Sequence, residues 1–251
     1  MIKRLYEADA RLSHFFSVHP HSSVASDALT ETYGLSSPVY SVFAQFTDEN
    51  ISALIGVLEN SAHISADKNA DTDEISQFLT CLAPNAITFN VSEIAIDING
   101  YTRQSADLLA LSKPHLTDGG VTFYPDLNDV FALMSRYHEA GEKDQFIADM
   151  QSRINHGAAL TAAVYENGGI ASTASAVFIG RKTGLIGAVA TDSNYRGRGY
   201  ASALVSSLCD KLINQNKTPL ISCANEAAKR LYMSLGFVKT DERVTLIKSR
   251  E

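Results

Sequence analysis

The sequence predicts an α/β (α+β) protein in two parts, the second more legible than the first. Three observations carry this. Past residue 120, short apolar strand-like runs alternate with segments of helical spacing. Asn167-Gly168-Gly169 separates two β-tolerant runs and is a strong hairpin signal. A strand then runs into a basic, glycine-containing turn and on into a helix at Val189–Ala201.

The second half parses in order. Val121–Tyr124 is a short strand. Asp126 or Asn128 caps a helix carrying Val130, Leu133, Met134 and Tyr137 at helical spacing. Asp144–Ile154 is a second helix, with Phe146, Ile147, Met150 and Ile154 inward. Ala158–Tyr165, Ile170–Ile179 and Leu185–Thr191 are strands; Arg181-Lys182-Thr183-Gly184 ends the second of them. A helix from Arg198 or Gly199 carries Leu204, Leu208 and Leu212 on one face. Pro219–Cys223 is a strand, Asn225 opens another helix, and Val238–Lys248 closes the chain as one or two strands.

The first half gives a helix over 2–16, strands over Val39–Phe46 and Ile51–Leu58, a helix over Asp73–Leu82 and a strand over Ala86–Val91. This β-β-α-β series echoes the middle of the second half. The polar, breaker-rich stretch Ser112–Gly120 reads as a linker. The expected domains are therefore 1–115, a smaller α/β domain, and 116–251.

Composition narrows the function classes. Hydrophobic content of 45% and charged content of 20% suit an ordinary globular protein. No run approaches the roughly 18 apolar residues of a membrane span, so no membrane role is expected. Met1–Asp9 lacks the apolar core of a signal peptide. Cys81, Cys209 and Cys223 are odd in number and lack metal-ligand spacing, which reads as free thiols in a reducing cytoplasm, with no metal. Residues 1–115 hold six Lys/Arg and fourteen Asp/Glu, a net charge of −8; residues 116–251 hold fifteen and fourteen, a net of +1. The acidic first half argues against nucleic acid as a partner.

The turn after Val189-Ala190-Thr191 is built for an anion. The first N–H groups of a helix have no intrahelical partner, and the helix dipole adds positive charge there. Gly197 and Gly199 let a phosphate approach the backbone, and Arg196 and Arg198 add fixed charge. Tyr200 and Ala201 open the helix. A Rossmann G-x-G-x-x-G fails because Ser202 stands at the third glycine, and no Gly-Lys-Ser/Thr of a Walker motif occurs.

What remains, Arg196-x-x-Gly199-x-Ala201, resembles the pyrophosphate signature R/Q-x-x-G-x-G/A of the GNAT acyltransferase superfamily. Asn225-x-x-Ala228-x-x-x-Tyr232-x-x-x-Gly236-Phe237 is similar to that superfamily's later motif. From the residues alone, Asn225 is an N-cap, Glu226 suits the first turn and Gly236 is a C′ stop. The resemblance covers about 116–251 and implies a mixed, mostly antiparallel central sheet flanked by helices.

It also implies acetyl-CoA or another acyl-CoA as co-substrate. Val189, Ala190 and Thr191 would present main-chain groups to the pantetheine arm, and Asn225 would contact it. Tyr232 would protonate the departing thiolate. The implied acceptor is the amine of a small molecule or peptide, attacking the thioester directly. No general base is legible: Glu166, His156 and Asp192 are candidates beside a water relay. A non-catalytic CoA-binding or sensory module, with the first half as an interaction domain, stands as the alternative. The first half itself reads either as a degenerate acyltransferase-like half or as an unrelated α/β lobe.

Overall fold

The computed structural model describes every residue of the chain except 118, 138–140 and 250–251. It divides into two compact units, Met1–Leu108 with Thr240–Glu251, and Leu109–Lys239.

The first unit begins with strand β1 (Ile2–Leu5), helices α1 (Ala10–Val18) and α2 (Val24–Tyr33), and strands β2 (Tyr40–Thr47), β3 (Asn50–Leu58) and β4 (Ser61–Ala66). Helix α3 (Thr72–Leu82), β5 (Ala86–Asn90) and β6 (Tyr101–Leu111) follow. The helix expected over 2–16 is thus split. Ile2–Leu5 pairs antiparallel with β2, and Asp9 starts α1 by accepting from the N–H groups of Arg11 and Leu12. The sequence reading misses α2 because its Val, Ser, Asp and Thr are mediocre helix formers. Burial of Val24, Ala25, Ala28 and Leu29 overrides that preference. Strand β4 is also missed, although Ala62, Ile64 and Ala66 alternate into the core.

The second unit contains β7 (Thr122–Phe123), α4 (Leu127–Met134), α5 (Lys143–Asn155), β8 (Leu160–Glu166), β9 (Gly169–Ile179) and β10 (Thr183–Thr191). Helix α6 (Tyr200–Ile213), β11 (Thr218–Cys223), α7 (Glu226–Ser234) and β12 (Phe237–Lys248) complete the chain. β7, β8, β9 and β10 pair successively antiparallel, and β10 pairs in parallel with β11 from Thr183↔Thr218 to Ile186↔Ile221. Alternate strand residues feed two apolar clusters. Leu160, Ala162 and Val164 join Leu204, Leu208 and Leu212 of α6, together with Tyr232. Val130, Leu133 and Met134 of α4 pack with Ala190.

The two units repeat one series, β-α-α-β-β-β-α-β, each with a parallel pair flanking its crossover helix: β4 with β5, and β10 with β11. Within each unit the strand pairing is mixed and mostly antiparallel, with helices packed on the strands. The stretch expected as a linker is in part pinned: Ser112 and Lys113 donate to the Gly236 carbonyl at 3.0 and 3.3 Å. No described helix is long and apolar enough to cross a membrane.

Candidate functional site

The site grows from an irregularity in β10. Gly187 pairs with Ser175, but the next pair is Ala190 with Thr173, so β10 carries one extra residue. Ala188 absorbs the bulge at φ 51°. The bulge turns Ala188 toward the α4 cluster, while Val189 packs on the α6–α7 cluster. A bulge of this kind re-aims main-chain groups at a strand end, and the expected strand Leu185–Thr191 gave no sign of it.

Past Thr191 the chain makes a single 3-10 turn, Ser193–Tyr195. Asp192 caps it by accepting from Asn194 N–H at 2.9 Å. The Asp192 carboxylate is also paired with Arg136 at 2.9 Å. Arg196 donates from Nε to the Thr191 carbonyl at 3.2 Å, and its guanidinium lies over the Tyr137 ring, 4.9 Å from the centroid. Arg198 lies 5.1 Å from the Tyr195 ring centroid. Both arginines remain exposed.

Gly197 and Gly199 take φ values of 76° and 83°, in the left-handed region that favours glycine. A Cβ at either would meet nothing within 4 Å. These glycines therefore serve conformation and leave the space in front of the backbone clear. Gly199 is the N-cap of α6, and among the described residues no side chain is seen to cap that helix. The first amides of α6 thus face outward with the helix dipole behind them. A phosphate fits that arrangement.

A cavity of about 520 Å³ collects these groups. Its lining includes Val189–Thr191, Arg196–Ala201 and Tyr232. Asn225 is not in that lining. It caps α7, accepting from Ala228 N–H at 2.8 Å, and so sets the start of the helix whose Ala228, Leu231 and Tyr232 do line the cavity. Gly236 follows α7 at φ 98°, as a C′ stop requires.

Tyr232 is 5% exposed, and burial chiefly, with Cys223 beside it, pushes its pKa up to about 12. Its hydroxyl therefore keeps its proton at neutral pH. The candidate bases stand elsewhere. The Glu166 carboxylate accepts from the Tyr200 hydroxyl and lines a neighbouring cavity of about 570 Å³. That hydrogen bond is the main reason the Tyr200 pKa is raised. Asp192 is held by Arg136, and His156 is the exposed C-cap of α5, its Nδ1 2.8 Å from the Ser152 carbonyl. None of the three lines the cavity around Tyr232.

Tyr137 escaped the sequence reading as a site residue. Helical spacing placed it on the first helix of this half. Instead α4 ends at Met134, and a tight turn carries Tyr137 out to the cavity.

The model of the acetyltransferase (GNAT) family matches residues 127–237, which contain this entire cavity. Residues 127–237 belong to the GNAT acetyltransferase family. A comparison with curated proteins gives no match. Solved structures agree in fold over nearly the whole chain. One is a GNAT-family acetyltransferase structure from Novosphingobium aromaticivorans, 18% identical, with a TM-score of 0.61 over 96% of this chain and 100% of that one. A second, an acetyltransferase from the GNAT family of Colwellia psychrerythraea, is 13% identical, with a TM-score of 0.61 and full coverage of both chains. A third, described as a tandem GNAT protein from the clavulanic acid biosynthesis pathway, is 11% identical, with a TM-score of 0.60 over 98% and 97% of the two chains. The chemistry of the GNAT domain is acyl transfer, with acetyl-CoA as the family's co-substrate.

Proposed function

We propose that the chain is an N-acyltransferase that moves an acetyl group from acetyl-CoA to the amine of a small molecule or peptide. The observation that carries this reading is the uncapped start of α6, with its two left-handed glycines and Arg196, opening on the same cavity as a buried, protonated tyrosine.

Each part has a role. The α6 amides and Arg196 hold the pyrophosphate, with Arg198 adding positive charge at the turn. The bulged main chain at Ala188–Thr191 receives the pantetheine arm and presents an N–H toward the thioester carbonyl. The amine, held in place, forms its N–C bond as the C–S bond breaks. Tyr232 gives its hydroxyl proton to the leaving sulfur and regains one from solvent. The amine's own proton leaves to water, since none of the legible bases lines the cavity.

The first unit reads as a second copy of the fold without a donor site, and 116–251 as the part that carries activity. The repeated element series and the likeness to a tandem GNAT protein support this division. So does the start of α3. There Asp71 accepts from the N–H groups of Asp73 and Glu74, which are themselves acidic, so carboxylates stand where phosphates would go.

The test is to mix the protein with acetyl-CoA and a panel of amines while following free thiol. Amine-dependent thiol release supports the enzyme. CoA binding with no release from any amine favours the non-catalytic module.

A further inference from the structure

We propose that Tyr137 is a positioning residue for the acyl-donor site, holding Arg196 and the turn after β10 in the geometry that receives phosphate. This rests on the donor-site reading above.

Tyr137 touches the turn at two points. Its hydroxyl accepts from the Ser193 N–H at 3.0 Å, at the start of the 3-10 turn. Its ring lies under the Arg196 guanidinium at 4.9 Å, at the end of that turn. The preceding residue, Arg136, pairs with Asp192 at 2.9 Å. Two consecutive residues therefore grip both ends of one short segment. They are themselves fixed by the last turn of α4, through Arg136 N–H to Leu133 and Tyr137 N–H to Met134, at 3.3 and 2.9 Å. Leu133 and Met134 are anchored in the core.

The physical consequence is preorganisation. An exposed arginine has much rotamer freedom to lose when it binds an anion. Arg196 has part of that freedom removed beforehand, by a carbonyl on Nε and a ring against its plane. The ring face attracts the cation and leaves the guanidinium edge for a ligand. The Tyr137 hydroxyl takes up the Ser193 amide and so ties the start of the turn to the end of α4.

The test is CoA binding by calorimetry on the full chain, with a two-by-two cycle of Tyr137→Ala and Arg196→Ala, and Tyr137→Phe beside it. Tyr137→Ala weakens CoA binding by about threefold to tenfold. Tyr137→Phe, which keeps the ring, loses less than Tyr137→Ala. In the Arg196→Ala background, removing Tyr137 costs little more, because the two residues act as one unit. In turnover, KM for acetyl-CoA rises with the same pattern while kcat changes less than about twofold. If Tyr137→Ala does not fold, Tyr137→Leu keeps apolar bulk without the ring, and the same losses are expected. Unchanged CoA affinity in these variants, additive effects in the cycle, or a fall in kcat at unchanged affinity each overturn the inference. A wild-type chain that binds no CoA overturns the donor-site reading, and the inference with it.

Discussion

Asp71 and Gly199 hold the same place in two copies of one element series, and they cap their helices in opposite ways. Asp71 closes the start of α3 with its own carboxylate, bonded to Asp73 N–H at 3.1 Å and Glu74 N–H at 3.0 Å. Gly199, which has no side chain, starts α6 without a side-chain cap among the described residues. The first arrangement repels a phosphate, whereas the second leaves helix N-terminal amides that suit one. The chain is therefore expected to bind one CoA, not two. Calorimetry reads this directly as the stoichiometry, and two equivalent sites per chain would overturn the reading of the first unit.

Tyr232 is the predicted proton donor. Tyr232→Phe keeps the ring that sits 6.3 Å from Phe237 and removes only the hydroxyl. With general acid catalysis limiting, kcat is expected to fall by a factor of roughly 10²–10⁴, with CoA affinity little changed. Wild-type kcat in this variant removes Tyr232 from the mechanism.

The pH dependence follows from the same residue. Its pKa is raised from 10.0 to about 12, chiefly by burial. A group whose folded pKa lies above its unfolded value gives stability that is complete below the unfolded pKa and is lost as pH climbs through the folded one. Tyr232 thus contributes fully below about pH 10, and its contribution fades between pH 10 and about 12. Melting curves from pH 9 to 12 should fall more steeply for wild type than for Tyr232→Phe. Parallel curves contradict the assignment.

Gly236 tests the packing behind α7. A Cβ there would stand 1.7 Å from the Lys113 carbonyl oxygen, on a backbone at φ 98°. Gly236→Ala combines an unfavourable left-handed alanine with a backbone clash, an expected loss of at least about 2 kcal/mol. In a chain of this size that lowers Tm by roughly 4–8 °C. A melt within 1 °C of wild type, on the scale of that same estimate, shows that the segment at Lys113 yields freely.

The second half was legible in the sequence because its signals are local. Asn225, Gly236 and the leucines at 204, 208 and 212 each declare a cap, a stop or a helix face within a few residues. The glycine turn at 197–199 declares a backbone conformation that few other residues adopt. The first half was harder because its elements are decided by distant partners. Ile2–Leu5 is a strand only because β2 lies beside it, and α2 is a helix largely because its residues are buried. The bulge at Ala188 and the grip of Tyr137 on Ser193 and Arg196 leave no local pattern either, since alanine and tyrosine both occur in ordinary strands and helices.

The most direct measurement is CoA affinity in Gly199→Asp. Aspartate tolerates a left-handed backbone better than most residues, and here it would set a carboxylate at the start of α6. With a negative charge set against the phosphate amides, CoA binding is expected to weaken at least tenfold, about 1.4 kcal/mol, in a protein that still folds. Calorimetry that shows wild-type affinity in a folded Gly199→Asp protein contradicts the placement of the donor phosphates at the start of α6.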